Sequence, residues 1–428
     1  MQQSNEERFS KIAIIGLGYV GIPVAQLFVQ NGFHVIGIDI DNKKLESLKQ
    51  GKSYLADIDD SVIQQLFKTG SFEVTDQFHK VNDANACILC LPTPLRDYQY
   101  PDLSYIQIAL KSISPYVNKG QLIVLESSTY PGTTEEVIVP ILEQNGKRVG
   151  VDYFIGYSPE RIDPGNKQYL LEDIPKVVSG VTDRCLEEIN KLYRQVFKKV
   201  VQVSSPKAAE MTKLLENAQR FINISFMNET VAICHEMGID IWEVIEAASS
   251  KPFGFIPYYP GPGIGGHCIP VDPLYLSWKA QQYNMDTQFI NLSKKINDYI
   301  PQYIVERIGN LLKAKGKDLK NSKILLIGMT YKKDVNDVRE SPAVTIFKKL
   351  ITEGANVCYH DPLLNELQVD NQLYFSQKLT TDQLNRSDCV VILTNHSSIS
   401  YDSIIDHAPL IFDTKNEIKD SFTHVVRL

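Results

Sequence analysis

Cys268 closes a glycine-rich run within Tyr258 to Trp278, YYPGPGIGGHCIPVDPLYLSW, where a sulfur nucleophile and a carboxylate fall in one short span. Gly261, Gly263, Gly265 and Gly266 permit positive φ and close approach of backbone to a ligand, and the two prolines stiffen the loop. Pro270 suits the first position of a helix, and Leu274, Leu276 and Trp278 continue an apolar run. Cys268 is therefore expected at a helix N-terminus, whose positive end favours a thiolate. Asp272, four residues on, then lies on the same side as the thiol. The competing reading is a buried, inert cysteine. His267, Cys268 and Asp272 lack the paired spacing of a structural zinc site, so no metal is expected.

Two more groupings carry chemistry. Gly16-Leu-Gly18-Tyr-Val-Gly21 follows a β-branched run, Lys11 to Ile15, and precedes a helical stretch, Ile22 to Gln30; a second strand, His34 to Ile40, carries Asp39 near its end. Strand, tight turn, helix and a later acid form the dinucleotide fingerprint, in which Gly16 makes the turn, Gly18 admits the pyrophosphate, Gly21 lets helix pack on strand and Asp39 takes the ribose hydroxyls. An acid without a following arginine favours NAD over NADP. The second grouping is Lys213 and Asn217, four apart in the helical stretch Ala208 to Gly238, placed to polarise a substrate oxygen; a solvated helix face is the alternative.

The elements that position these residues are those of an α/β protein. Strands are expected at Ala86 to Leu91, Leu122 to Glu126, Phe154 to Tyr157 and Lys176 to Ser179, completing a parallel doubly wound sheet. The loops at their carboxyl ends, Pro92-Thr93-Pro94, Ser127-Ser128-Thr129 and Ser158-Pro159-Glu160, are rich in short hydroxyls or acid and converge on one edge. Long helices follow at Ala208 to Gly238 and Thr287 to Gly316, the second bent near Pro301. From Ser322 a second α/β unit begins: strand KILLIG, a loop with Lys332, Lys333 and Arg339, helix Val344 to Glu353 and strands Asn356 to Tyr359, Cys389 to Leu393 and Leu410 to Asp413. Its basic loop reads as a phosphate-binding edge for a ligand that is not a dinucleotide. The fold class is two Rossmann-like doubly wound parallel-sheet domains, 1–205 and 316–428, joined by a long-helix central domain, 206–315, that carries the cysteine loop.

Bulk properties exclude several roles. At 428 residues, 43% hydrophobic and 22% charged, the chain supports more than one domain core. A net charge of −7 argues against nonspecific nucleic-acid binding. The polar N-terminus lacks the apolar core of a signal peptide, and no run approaches eighteen uninterrupted apolar residues, so no membrane association is expected and the cytoplasm is. Seven cysteines, an odd number spread over a long chain, fit thiols better than a disulfide framework; Cys87 and Cys90 read as buried strand residues.

Taken together, GLGYVG, SSTYPGTT, SPE, the helix with Lys213 and Asn217, GPGIGGHC with Asp272, and KKDVNDVRESP resemble the UDP-glucose/GDP-mannose dehydrogenase family over nearly the whole chain. The resemblance implies oxidation of a nucleotide sugar at C6 from alcohol to acid with two NAD. It implies Cys268 as nucleophile, Lys213 and Asn217 as the oxyanion pair, Asp272 as a carboxylate positioning or activating water, Glu160 as general base in thioester hydrolysis and Thr129 beside the catalytic water. It further implies Gly16, Gly18, Tyr19, Val20, Gly21, Asp39, Thr93, Ser128, Thr129 and Arg339 against the cofactor. Glu160, Arg161, Lys213, Asn217, Tyr259, Gly261, Gly263, Gly265 and Lys332 would then face the UDP-sugar. A homodimer or higher homo-oligomer through the central helices is expected.

Two departures bear on substrate and assembly. The glucose-specific branch has serine before the cysteine, lysine before the aspartate and a second glutamate four residues after the SPE acid; here those positions hold His267, Val271 and Pro164. The segment GGHCIPVDPLYL instead resembles the branch acting on UDP-N-acetylhexosamines, with Pro270 favouring N-acetylglucosamine over N-acetylmannosamine. The family's cross-subunit arginine upstream of the glycine loop has no counterpart, Lys251 being the nearest cation.

Overall fold

The computed structural model describes residues 9–55, 58–96, 100–144, 146–161 and 169–428. They form two compact units, the first of the described residues within 1–216 together with 274–285 and the second of 217–273 together with 286–428.

The first unit is built on an eight-stranded sheet. Its spatial order is Val200–Gln202, Lys176–Gly180, Phe154–Tyr157, Leu122–Leu125, Ala86–Leu89, Lys11–Ile15, His34–Ile38 and Phe72–Thr75. The central strands are short runs of Ile, Val, Leu, Ala and Cys buried on both faces, as strands covered by helices must be. Strand order reverses between Lys11–Ile15 and Ala86–Leu89, and such a reversal opens a crevice at the carboxyl ends. Gly16 N donates to Ile38 O at 2.8 Å and Cys90 N to Ile15 O at 2.8 Å, so the fingerprint turn leaves the sheet at that crevice.

One pairing departs from the all-parallel expectation. Lys176–Gly180 runs antiparallel to Phe154–Tyr157, with Gly156 opposite Gly180 and Tyr157 opposite Ser179. The chain turns back instead of crossing over, which brings the beginning of this strand, Lys176, to the edge where its neighbours end. The outer strands Phe72–Thr75 and Val200–Gln202 are too short to stand out in the sequence.

In the second unit five strands pair in parallel, in the order Asn356–His360, Lys323–Ile327, Cys389–Ile392, Ile411–Asp413 and Val425–Arg427. Helices Ile241–Ser249 and Gln288–Ala314, the latter continuous through Pro301, share one core with this sheet. Met227, Val231, Trp242, Ile304 and Ile308 pack in the same cluster as Ile324, Ile346, Phe347 and Phe412. The long helix Pro206–Glu236 supplies its start to the first unit and its remainder to the second.

Candidate active site

Steric demand explains the fingerprint glycines. Gly16 has φ +94°, and a Cβ there would stand 2.4 Å from Cys90 O; one on Gly21 would stand 1.9 Å from Gly16 O. A Cβ on Gly18 would meet nothing within 4 Å, which leaves room for a phosphate against the turn and the start of helix Gly21–Gln30. Tyr19 and Val20 complete the turn, half-buried. Asp39 is buried; its Oδ2 accepts from Leu17 N at 2.9 Å and its Oδ1 from Asp41 N at 3.0 Å, and Lys44 Nζ lies 3.5 Å from Oδ2. The carboxylate thus fixes the glycine turn and has lone pairs left for a ribose. These residues fit a dinucleotide.

The hydroxyls at the carboxyl edge divide by role. Thr93 Oγ1 donates to Ser128 O at 2.7 Å, Ser127 Oγ accepts from Leu91 N at 2.9 Å and Ser158 Oγ donates to Val177 O at 2.7 Å, so these three tie loops together. Thr129 differs. It is fully buried, and its hydroxyl finds no hydrogen-bond partner among the described residues. A buried hydroxyl left unmatched in this way suits a water or ligand.

Glu160 sits in a buried charge cluster. Its Oε1 accepts from Arg161 N at 2.7 Å and its Oε2 lies 3.2 Å from Lys176 Nζ, which is also 3.0 Å from Glu126 Oε2. The Lys213 ammonium, on the long helix, donates to the Glu160 carbonyl. Lys213 is 7% exposed, which rules out the solvated-face reading for it. Arg161 pairs through Nη2 with Glu216 Oε1 at 2.7 Å and donates through Nη1 to Pro175 O at 3.0 Å. Glu126 and Lys176 were legible in the sequence only as strand residues.

In the second unit the glycine loop packs against its own fold. A Cβ on Gly265 would stand 2.7 Å from Glu340 O, and one on Gly266, at φ +87°, 2.7 Å from the Tyr331 ring. The close approach these two glycines permit is to the segment Tyr331–Glu340. Gly261 N donates to Asn228 Oδ1 at 2.9 Å, Gly263 adopts φ +129°, and Tyr259 is exposed and stacked on Trp242 at 6.2 Å. Gly266 N donates to Arg339 O at 3.1 Å. The Arg339 guanidinium grips Asp337 with Nε–Oδ1 3.0 Å and Nη2–Oδ2 2.6 Å, and its Nη2 lies 3.2 Å from His267 Nδ1. Lys332 is half-buried, its carbonyl accepting from Thr330 Oγ1 at 3.1 Å. Pro164 lies outside the described residues.

Cys268 follows, half-buried, whereas Cys87, Cys90, Cys185, Cys234 and Cys389 are buried. Burial pushes the thiols of Cys87 and Cys389 up to about 12. The helix expected to begin at Pro270 begins instead at Asp272 and ends at Gln281. Pro273, not Pro270, occupies its first turn, where a missing N–H costs nothing. Cys268 stands in the preceding turn, its carbonyl accepting from Asp272 N at 2.8 Å and Val271 N at 3.1 Å. That turn leads directly into the helix and holds Cys268 and Asp272 together. Asp272 is 1% exposed, and its Oδ2 accepts from Asn217 Nδ2 at 2.6 Å. Asn217, expected to steady a substrate oxygen, here holds a carboxylate.

Comparison with known proteins agrees along the chain. Residues 10–197 match the NAD binding domain of the UDP-glucose/GDP-mannose dehydrogenase family, 207–299 its central domain and 325–420 its UDP binding domain. The chain belongs to that family. It is an NAD-dependent UDP-sugar dehydrogenase, an oxidoreductase. A UDP-N-acetyl-D-glucosamine 6-dehydrogenase of Salmonella typhi is 34% identical over 389 residues, 90% of each chain. A UDP-N-acetyl-D-mannosamine dehydrogenase of Methanococcus maripaludis is 32% identical over 98% of this chain and 96% of its own. A solved UDP-D-ManNAc dehydrogenase of Pyrococcus horikoshii superposes with TM-score 0.88 at 29% identity, covering 97% of this chain and 98% of that one. No helix among the described residues is long and apolar enough to cross a membrane.

Proposed function

We propose that this family member oxidises UDP-N-acetyl-D-glucosamine at C6 to the uronic acid, a four-electron reaction through a covalent Cys268 intermediate, for surface polysaccharide biosynthesis in the cytoplasm. The observation that carries the chemistry is the turn joining Cys268 to Asp272, closed at 2.8 Å, with Asn217 fixed on the Asp272 carboxylate. The backbone of Cys268 is fixed by the turn and the carboxylate of Asp272 by Asn217, an arrangement that supports covalent catalysis.

The roles follow from the groups. Bound NAD supplies the hydride acceptor for each oxidation. Loss of a hydride from C6 and of its hydroxyl proton turns the alcohol into an aldehyde. The Cys268 thiolate adds to that aldehyde, forming a C–S bond, and the carbonyl oxygen takes up negative charge and then a proton. Loss of a hydride from the thiohemiacetal carbon, together with that hydroxyl proton, leaves a thioester. Water attacks it, Glu160 accepts the water's proton, and the C–S bond breaks to give acid and thiolate. Lys213 is the cation assigned to the oxyanion and Asp272 the carboxylate that orients water, with Asn217 fixing Asp272. Thr129 offers its unmatched hydroxyl to the water or the nicotinamide end of NAD. Gly16, Gly18, Tyr19, Val20, Gly21, Asp39, Thr93, Ser128 and Arg339 are assigned to NAD. Arg161, Tyr259, Gly261, Gly263, Gly265 and Lys332 are assigned to the nucleotide sugar. Domains at 1–205, 206–315 and 316–428 divide these tasks. Assembly as a homo-oligomer is supported by exposed apolar side chains on the long helices, among them Phe226, Ile233, Phe289 and Leu292.

The sugar assignment rests on the sequence GGHCIPVDPLYL, whose Pro270 favours N-acetylglucosamine. A second reading, UDP-N-acetylmannosamine, is favoured by the relatives of that activity in Methanococcus maripaludis and Pyrococcus horikoshii. Rates with UDP-N-acetylglucosamine, UDP-N-acetylmannosamine, UDP-N-acetylgalactosamine and UDP-glucose at equal concentration separate them. The highest kcat/KM is expected for the first; a higher value for any other replaces the sugar and leaves the chemistry in place.

A further inference from the structure

The cluster around Glu160 contains two buried charges for which the reaction as described has no use. Lys176 and Glu126 are 4% and 1% exposed. Neither is a surface ion pair, and each must be compensated where it stands. Extending the antiparallel register of Tyr157 with Ser179 by three residues sets Glu160 opposite Lys176. Leu125 pairs with Tyr157, which sets Glu126 one residue beyond it on the other side. The strand reversal thus places one ammonium between two carboxylates, 3.0 Å from Glu126 and 3.2 Å from Glu160. Tyr193, fully buried on helix Asp183–Tyr193, donates its phenol to Glu126 Oε1, and the Tyr193 and Phe197 rings each lie 5.2 Å from Lys176 Nζ.

Charge balance then gives the cluster a function. With Lys176 protonated and both carboxylates ionised, the trio carries one surplus negative charge in a dry interior. The other groups facing it are Cys90 at the end of Ala86–Leu89, Tyr193, the Arg161 N–H and Lys213, whose ammonium is on the Glu160 carbonyl. The Arg161 guanidinium is engaged by Glu216. We propose that Lys176 and Glu126 are positioning residues for Glu160: Lys176 holds it ionised and aimed, while Glu126 anchors Lys176 and carries the proton that the surplus charge demands. Desolvation, with Glu160 adding to it and Lys176 opposing it, pushes Glu126 up to about 7, in keeping with this division. Burial and the two carboxylates push the Cys90 thiol up as well, so it stays neutral.

This inference rests on Glu160 as the base of thioester hydrolysis, and the test separates the two. In the full-length protein, the pH profile of kcat and the amount of Cys268-linked thioester, read by intact mass after acid quench, are measured for Lys176→Met, Glu126→Gln and Glu160→Gln. Removing the cation leaves two carboxylates competing for charge, so Lys176→Met is expected to move the acidic limb of kcat upward by about one pH unit or more. Gln reproduces the neutral, protonated form assigned to Glu126 and keeps an acceptor for Tyr193, so Glu126→Gln is expected to leave the acidic limb within about a few tenths of a pH unit of wild type, and it remains informative if Lys176→Met fails to fold. A generic packing defect in Lys176→Met would lower kcat without moving the limb. An unmoved limb in Lys176→Met, or a limb moved by about one unit or more in Glu126→Gln, overturns the proposal. Glu160→Gln is expected to accumulate thioester; if it hydrolyses normally, the assignment of Glu160 itself fails.

Discussion

Asn217 Nδ2 donates to Asp272 Oδ2 at 2.6 Å, and both side chains are buried. A bond this short to a carboxylate is charge-assisted and fixes the rotamers of both partners. It turns Asp272 into a preset acceptor one turn from Cys268.

From that follows the first prediction. Asp272→Asn keeps the size of the side chain and an oxygen for Asn217 but removes the charge. Its kcat is expected to fall by about 10²–10³-fold while KM for the UDP-sugar moves little. Steady-state kinetics check it, and a kcat within tenfold of wild type would remove Asp272 from the chemistry.

The fingerprint glycines offer an internal control. A Cβ at Gly16 would collide with Cys90 O at 2.4 Å on a φ of +94°, whereas one at Gly18 would meet open space. Gly16→Ala is expected to cost about 2 kcal/mol or more and to lower Tm by several degrees. Gly18→Ala is expected to hold its Tm and weaken NAD binding by about tenfold or more. Thermal melts and NAD titration distinguish them; equal Tm losses would mean that Gly18 is also structural.

The buried carboxylate at Glu126 makes a stability prediction with a definite sign. Its ordinary value of 4.5 rises to about 7 in the fold, chiefly through burial. Between these values the folded chain holds a proton that the unfolded chain has lost, so this group makes stability fall as pH rises from about 4.5 to 7, by at most about 1.4 kcal/mol per pH unit. Glu126→Gln is expected to flatten that slope in urea titrations taken across the window. An unchanged slope would show that Glu126 does not take up a proton on folding.

What the sequence discloses follows from the range of the interactions involved. The fingerprint could be read because turn, strand and helix are consecutive and each glycine answers to a neighbour fixed by that motif. Cys268 is legible as a candidate nucleophile, yet the helix after it begins two residues later than Pro270 suggests, because Pro270 and Pro273 both suit a first turn and only packing chooses between them. The spacing of Gly265 and Gly266 suggests close approach to a ligand, and the segment they accommodate in the fold, Tyr331–Glu340, lies some seventy residues away in the chain. Lys176 is legible only as the first residue of a strand. Its meaning depends on an antiparallel reversal, which no residue in the run KVVSG signals.

The central claim is four-electron oxidation through Cys268, and NADH released per UDP-sugar consumed tests it most directly. We predict two NADH per sugar for the wild-type protein, with no free aldehyde, and no acid formed by Cys268→Ala. One NADH per sugar with aldehyde accumulating, or an undiminished yield of acid from Cys268→Ala, would contradict the account.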